Sequence, residues 1–95
     1  MTKYEVMFII DPTLEDATKQ ATIETVKEII AADGEVGEVN EMGMKRLAYP
    51  ILKKDDGYYV VVEFMGNPTL PKELDRRLKI SDNVMRHIII NKDEK

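Results

Sequence analysis

The chain has 95 residues, room for one domain over 1–95 with a single hydrophobic core and too few for a second. Hydrophobic residues make up 43% and charged residues 34%, which excludes a disordered chain, and the lack of cysteine excludes disulfides and thiolate metal sites. A net charge of −4 argues at first against a nucleic-acid binder, which ordinarily carries a basic excess to meet phosphate.

Lys3 to Ile10 reads as the first strand, with Tyr4, Val6, Phe8 and Ile10 on one face and Glu5, Met7 and Ile9 on the other. Charge inside this only early apolar run speaks against a signal peptide, and no apolar stretch nears the ~20 residues that cross a bilayer. The expectation is a soluble, intracellular protein. Asp11-Pro12 stops the strand, and Thr13 is the expected N-cap of a helix reaching about Ala32. Ile23, Val26 and Ile30 form its buried stripe, and Gly34 is expected to close it in the left-handed conformation. Val36 to Lys53 reads as a long, irregular arm broken at Gly43 and Pro50. A proline cannot donate to a ladder, so this strand belongs at a sheet edge.

Lys54-Asp55-Asp56-Gly57 is the expected hairpin turn. Tyr58, Val60, Val62 and Phe64 then alternate with Tyr59, Val61, Glu63 and Met65 in a further strand, ended by Gly66-Asn67-Pro68. Thr69 to Ile80 predicts a shorter helix with Leu70, Leu74 and Leu78 at i, i+4 and i+8. After the Ser81-Asp82-Asn83 turn, Val84 to Asn91 is the last strand. The order β-α-β-β-α-β predicts an α+β, ferredoxin-like sandwich. Its four-stranded antiparallel sheet has both helices on one face, strands one and three central, and strands two and four at the edges.

Charge is polarised along this order. Residues 1–41 hold three lysines against ten acids, whereas residues 42–54 hold Lys45, Arg46, Lys53 and Lys54 and no acid. Residues 72–92 hold six basic side chains against three acids. Such asymmetry allows a local anion-facing surface on an acidic protein, although solvated charge is an equally ordinary reading. The sheet face turned from the helices would carry Met7, Ile9, Tyr59, Val61 and Met65, joined by Met85 and Ile89. That is more apolar than a solvated face should be, and it favours a covering partner over side chains folding on one another.

Catalytic chemistry finds no support. His87 is the only histidine and lacks a second histidine or a cysteine as co-ligand, so no metal is expected. Glu15, Glu24 and Glu28 lie on a polar helical face, and Ser81, the only serine, sits in a turn. No glycine-rich phosphate loop is present, and no cofactor is expected.

The stretch Lys45-Arg46-Leu47-Ala48-Tyr49-Pro50-Ile51, followed by Lys53 and by Gly57-Tyr58, resembles the signature of the bacterial ribosomal protein S-six family. Tyr4-Glu5 before an apolar strand, and Leu78-Lys79-Ile80-Ser81-Asp82-Asn83-Val84-Met85-Arg86, resemble it as well. The chain departs from the family at Thr2, where arginine is frequent, and at Met42, where many members have tryptophan. The resemblance implies a non-enzymatic, ferredoxin-like constituent of the small ribosomal subunit in the cytoplasm. It implies binding to 16S ribosomal RNA of the central domain, jointly with small-subunit ribosomal protein S-eighteen.

On that resemblance, RNA contact is expected at Lys45, Arg46, Lys53 and Arg86. Charge and topology add Lys3, Lys54, His87 and Lys92, while Arg76 and Arg77 fit solvated helix charges equally well. Partner contact is expected at Met7, Met42, Met44, Tyr49, Tyr59 and Met65. Two rival readings share the topology. A single-strand RNA module would need a small residue where Tyr59 stands and an exposed aromatic on the first strand. A ligand-sensing or enzymatic domain would use the bare face in a homodimer.

Overall fold

The computed structural model describes residues 1–51 and 54–93, with the side chains of residues 47–51, 54 and 55 outside that description. Six elements follow in the expected order: β1 (Thr2–Ile10), α1 (Asp16–Asp33), β2 (Gly34–Ile51), β3 (Lys54–Gly66), α2 (Leu70–Lys79) and β4 (Val84–Asn91). The strands form one antiparallel sheet in the order β2-β3-β1-β4, which leaves β2, with its Pro50, at an edge. The architecture is the ferredoxin-like βαββαβ sandwich.

Alternation explains why β1 and β3 take the centre. Val6, Phe8 and Ile10 pair directly with Val62, Val60 and Tyr58, so the apolar residues of both strands emerge on one face. That face meets Ile23, Val26 and Ile30 of α1 and Leu70, Leu74 and Leu78 of α2, and together they make the core. Burying each of these side chains contributes about 1.5–3 kcal/mol. Tyr4 and Phe64 close one end, their rings stacked with centroids 5.4 Å apart.

Four local expectations need correction. Helix α1 begins at Asp16, not after Thr13, because the Thr13 amide and hydroxyl both donate to Asp11 Oδ1, at 2.9 and 2.7 Å. Thr13 thereby closes a turn on Asp11 instead of capping the helix. Gly34 is extended (φ −173°, ψ −157°) and opens β2. It is glycine for want of space, since a Cβ there would run into the Met65 carbonyl oxygen. The residues expected to form the turn, Lys54 to Gly57, lie within β3, where Lys54 pairs with Ile51.

The fourth correction concerns β4. Its register against β1 shifts between Ile9 and Ile10, where one step on β1 spans Val84 to Arg86 on β4. That bulge resets the alternation. Ile89 pairs with Val6 and turns to the helices, while Arg86, Ile88 and Ile90 share the open face with Ile9, Met7 and Glu5.

Candidate nucleic-acid and partner interface

Beyond the Ile10–Tyr58 rung, β1 ends and β2 and β3 pair only with each other. The hairpin therefore continues out of the four-stranded sheet as a two-stranded arm. A bulge at Glu41/Gly43 marks its root, and Gly43 supplies the required positive φ of 85°. The register shifts again between Arg46 and Ile51, around Pro50.

Lys45 and Arg46 are exposed on this arm and, as neighbours on one strand, project to opposite faces. Lys45 stands across from Gly57, which offers it no side chain, and Arg46 stands across from Asp56. Cation is thus presented on both faces of the ribbon. Lys54 opens β3, but its side chain and that of Tyr49 lie outside the described ones, as does the whole of Lys53.

The open face is graded along the strands. At the arm end, Gly43, Tyr59, Ile9 and Arg86 form one cross-strand row, so exposed Arg86 lies on the same face as Lys45. Three strand spacings and two residues separate their Cα atoms by about 16 Å. The middle is apolar. Met7 lies between Val61 and Ile88, and Ile9 is buried at 4% exposure between Tyr59 and Arg86. Ile88 and Ile90 are large apolar side chains that remain 41% and 50% exposed. Glu5 pairs with Glu63 at the far end, and Glu35 with Met65, which makes that end acidic.

The expected cations do not all converge. Lys3 and Lys92 sit at the acidic end, about 20 Å along the strands from the arm end. Lys92 Nζ lies 2.9 Å from Glu63 Oε1 and 3.6 Å from Glu5 Oε2. Its hydrogen bond to Glu63 and both carboxylate charges hold the ammonium above its ordinary pKa. The Lys3 amide donates to Asp93 Oδ2 at 2.9 Å, and its carbonyl accepts from the Lys92 amide.

His87 points away from the open face on which Lys45 and Arg86 lie. It pairs with Phe8 and therefore turns to the helix layer, where its side chain is only 11% exposed and Nε2 is 2.6 Å from Asp75 Oδ1. The same bulge that redirects Ile89 redirects His87. Hydrogen bonds from His87, and then from Lys79, hold the Asp75 carboxyl below its ordinary pKa, so it is the acceptor. On α2, Arg76 and Arg77 face Glu73 at 2.6 and 4.0 Å, and the helix satisfies much of its own charge.

Of the expected partner residues, Met7, Tyr59 and Met65 lie half-buried on the open face, while Met42 and Met44 are exposed at the arm root, 42% and 53%. Ile88 and Ile90 were missing from that set. The run Ile88-Ile89-Ile90 carries no alternation of its own, so only the register against β1 assigns its faces.

The chain matches the family model for Ribosomal protein S6 over residues 3–91. It is 48% identical to small ribosomal subunit protein bS6 of Clostridium kluyveri over 96 aligned positions, covering 100% of both chains. It is 43% identical to the protein of the same name from Clostridioides difficile, covering 95% of this chain and 98% of the other. The crystal structure of 30S ribosomal protein S6 from Thermotoga maritima superimposes with a TM-score of 0.92 at 30% identity, covering 97% of this chain and 88% of that one. A ferredoxin-like sandwich with a cationic arm, matched over nearly its whole length, the chain belongs to the ribosomal protein S6 family, structural and non-enzymatic constituents of the small ribosomal subunit in the cytoplasm.

Proposed function

We propose that the chain binds 16S ribosomal RNA together with small-subunit ribosomal protein S-eighteen and so supports assembly of the subunit's central domain. Lys45, Arg46 and Arg86 meet phosphate, and the neighbouring sequence cations Lys53 and Lys54 are assigned the same role. The observation that carries this reading is the arm itself. It takes two exposed cations beyond an acidic body, where phosphate can approach without meeting the carboxylates of α1 and β2. Contacts of this kind fix backbone geometry at a folded RNA junction and read shape more than sequence.

The open face takes the partner protein. Met7, Tyr59, Met65 and Ile88 offer it an adaptable apolar surface, flanked by Met42 and Met44 on β2. The acidic end at Glu5, Glu35 and Glu63 suits a basic partner, which also accounts for a net-acidic protein inside an RNA particle. Lys3 and Lys92 belong to that end, and any RNA contact they make is secondary to it.

Mixing the purified chain with a central-domain RNA fragment, with and without S-eighteen, tests the joint unit. A ternary complex much tighter than either binary one is the expected result. Equal RNA affinity with and without the partner would overturn it.

A further inference from the structure

We propose that Glu41 is a positioning residue, which sets the angle of the basic arm from its root without itself touching RNA. This rests on the reading of the arm as an RNA-binding element. Glu41 is the last β2 residue before the bulge, and it pairs with Val60, so its side chain points to the helix layer. There Oε1 accepts two hydrogen bonds, from the Tyr58 hydroxyl at 2.9 Å and from Gln20 Nε2 at 2.8 Å. Tyr58 stands on the last rung that β3 shares with β1, where the four-stranded sheet ends and the arm starts. Gln20 belongs to α1. One carboxylate oxygen thus ties both strands of the arm's root to the helix.

Lys19 braces the same joint. Its side chain is only 11% exposed, with Nζ 5.2 Å from the centre of the Tyr58 ring and 3.8 Å from Asp16. A bulge with a left-handed glycine is a natural swivel, and β1 gives no ladder support past Tyr58. The four side chains at this point, Glu41, Tyr58, Gln20 and Lys19, are what restrains that swivel. Without them the arm samples other angles, and only the fraction at the competent angle binds RNA at full strength.

The chain has no cysteine, so Asp56→Cys on the arm and Glu28→Cys on α1 allow a spin-label distance measurement in the full chain. A narrow distance distribution is expected for the parent and for Glu41→Gln, which keeps the accepting oxygen. Glu41→Ala should broaden it and weaken RNA binding by about three- to tenfold, with the salt dependence unchanged because no phosphate contact is lost. Comparison with Glu41→Gln separates the lost hydrogen bonds from the lost negative charge. An unaltered distribution in Glu41→Ala overturns the proposal.

A broadened distribution with unaltered affinity also overturns it, and Lys45→Ala/Arg46→Ala then locates the failure. If that variant still binds weakly, only the positioning role is wrong. If it binds normally, the RNA reading of the arm is wrong as well.

Discussion

Two glycines on β2 illustrate how one residue type answers two different demands. At Gly34 the backbone is ordinary extended chain, and the demand is space beside the Met65 carbonyl and the Leu70 side chain. At Gly43 nothing among the described residues lies within 4 Å of a would-be Cβ, and the demand is the positive φ of 85°. Alanine at Gly34 should cost about 1–3 kcal/mol by overpacking, whereas at Gly43 it should cost about 1–2 kcal/mol through conformation alone. Asparagine discriminates between them, since it tolerates the left-handed region but is larger. In urea unfolding, Gly43→Asn should recover most of the loss and Gly34→Asn should worsen it. Leu74, fully buried on α2, sets the scale for core damage, with Leu74→Ala expected to cost about 2–5 kcal/mol in the same measurement. The sequence announces that a glycine stands at 34. Which demand it meets depends on β3, whose nearest residue there is more than thirty positions away.

Elements with strong periodicity are legible from the chain alone. The alternation from Tyr4 to Ile10 and from Val60 to Phe64, and the i, i+4, i+8 leucines of α2, each put their apolar residues where the structure buries them. Where pairing decides, the sequence is silent. The bulge opposite Ile9/Ile10 changes which residues of β4 face the helices, and Asp55-Asp56-Gly57, a good turn by composition, is drawn into β3 by pairing with β2. The β4 shift also creates the Asp75–His87 contact that ties α2 to β4. Because the folded chain holds the Asp75 carboxyl below its ordinary value of 3.8, this contact stabilises the fold above about pH 4. That contribution fades as pH falls through the unfolded and then the folded pKa, and solvent screening keeps it modest. Glu73, held down mainly by its hydrogen bond to Arg76, follows the same sign. Urea midpoints measured from pH 7 to pH 3 should fall less steeply for Asp75→Asn than for the parent. An identical slope would show that the contact contributes nothing.

Across the whole molecule, charge and apolar surface are sorted into three zones along one sheet face. Lys45 and Arg86 lie at the arm end, Met7 and Ile88 in the middle, and the carboxylates of Glu5, Glu35 and Glu63 at the far end, where Lys92 meets two of them. The basic signature at Lys45-Arg46 and the late Arg86 are readable as cations in the sequence. The face that Arg86 shares with Lys45 is not, nor is the engagement of Lys92 by Glu5 and Glu63, because both arise from strand pairings distant in the chain. An interface in the middle zone makes a separate claim on Ile88, 41% exposed. Ile88→Ser should leave the unfolding midpoint nearly unchanged while weakening association with the partner protein by about tenfold, as judged by titration calorimetry. Unweakened association would put the partner elsewhere.

RNA affinity of the protein pair, measured across salt concentrations for the parent and for Lys45→Ala/Arg46→Ala, tests the central claim most directly. If the arm grips phosphate, the variant binds more weakly at low salt, and the slope of log affinity against log salt becomes shallower by about 1–2. Identical slopes and affinities would mean that the arm's cations face solvent in the ribosome, and the account would have to be abandoned.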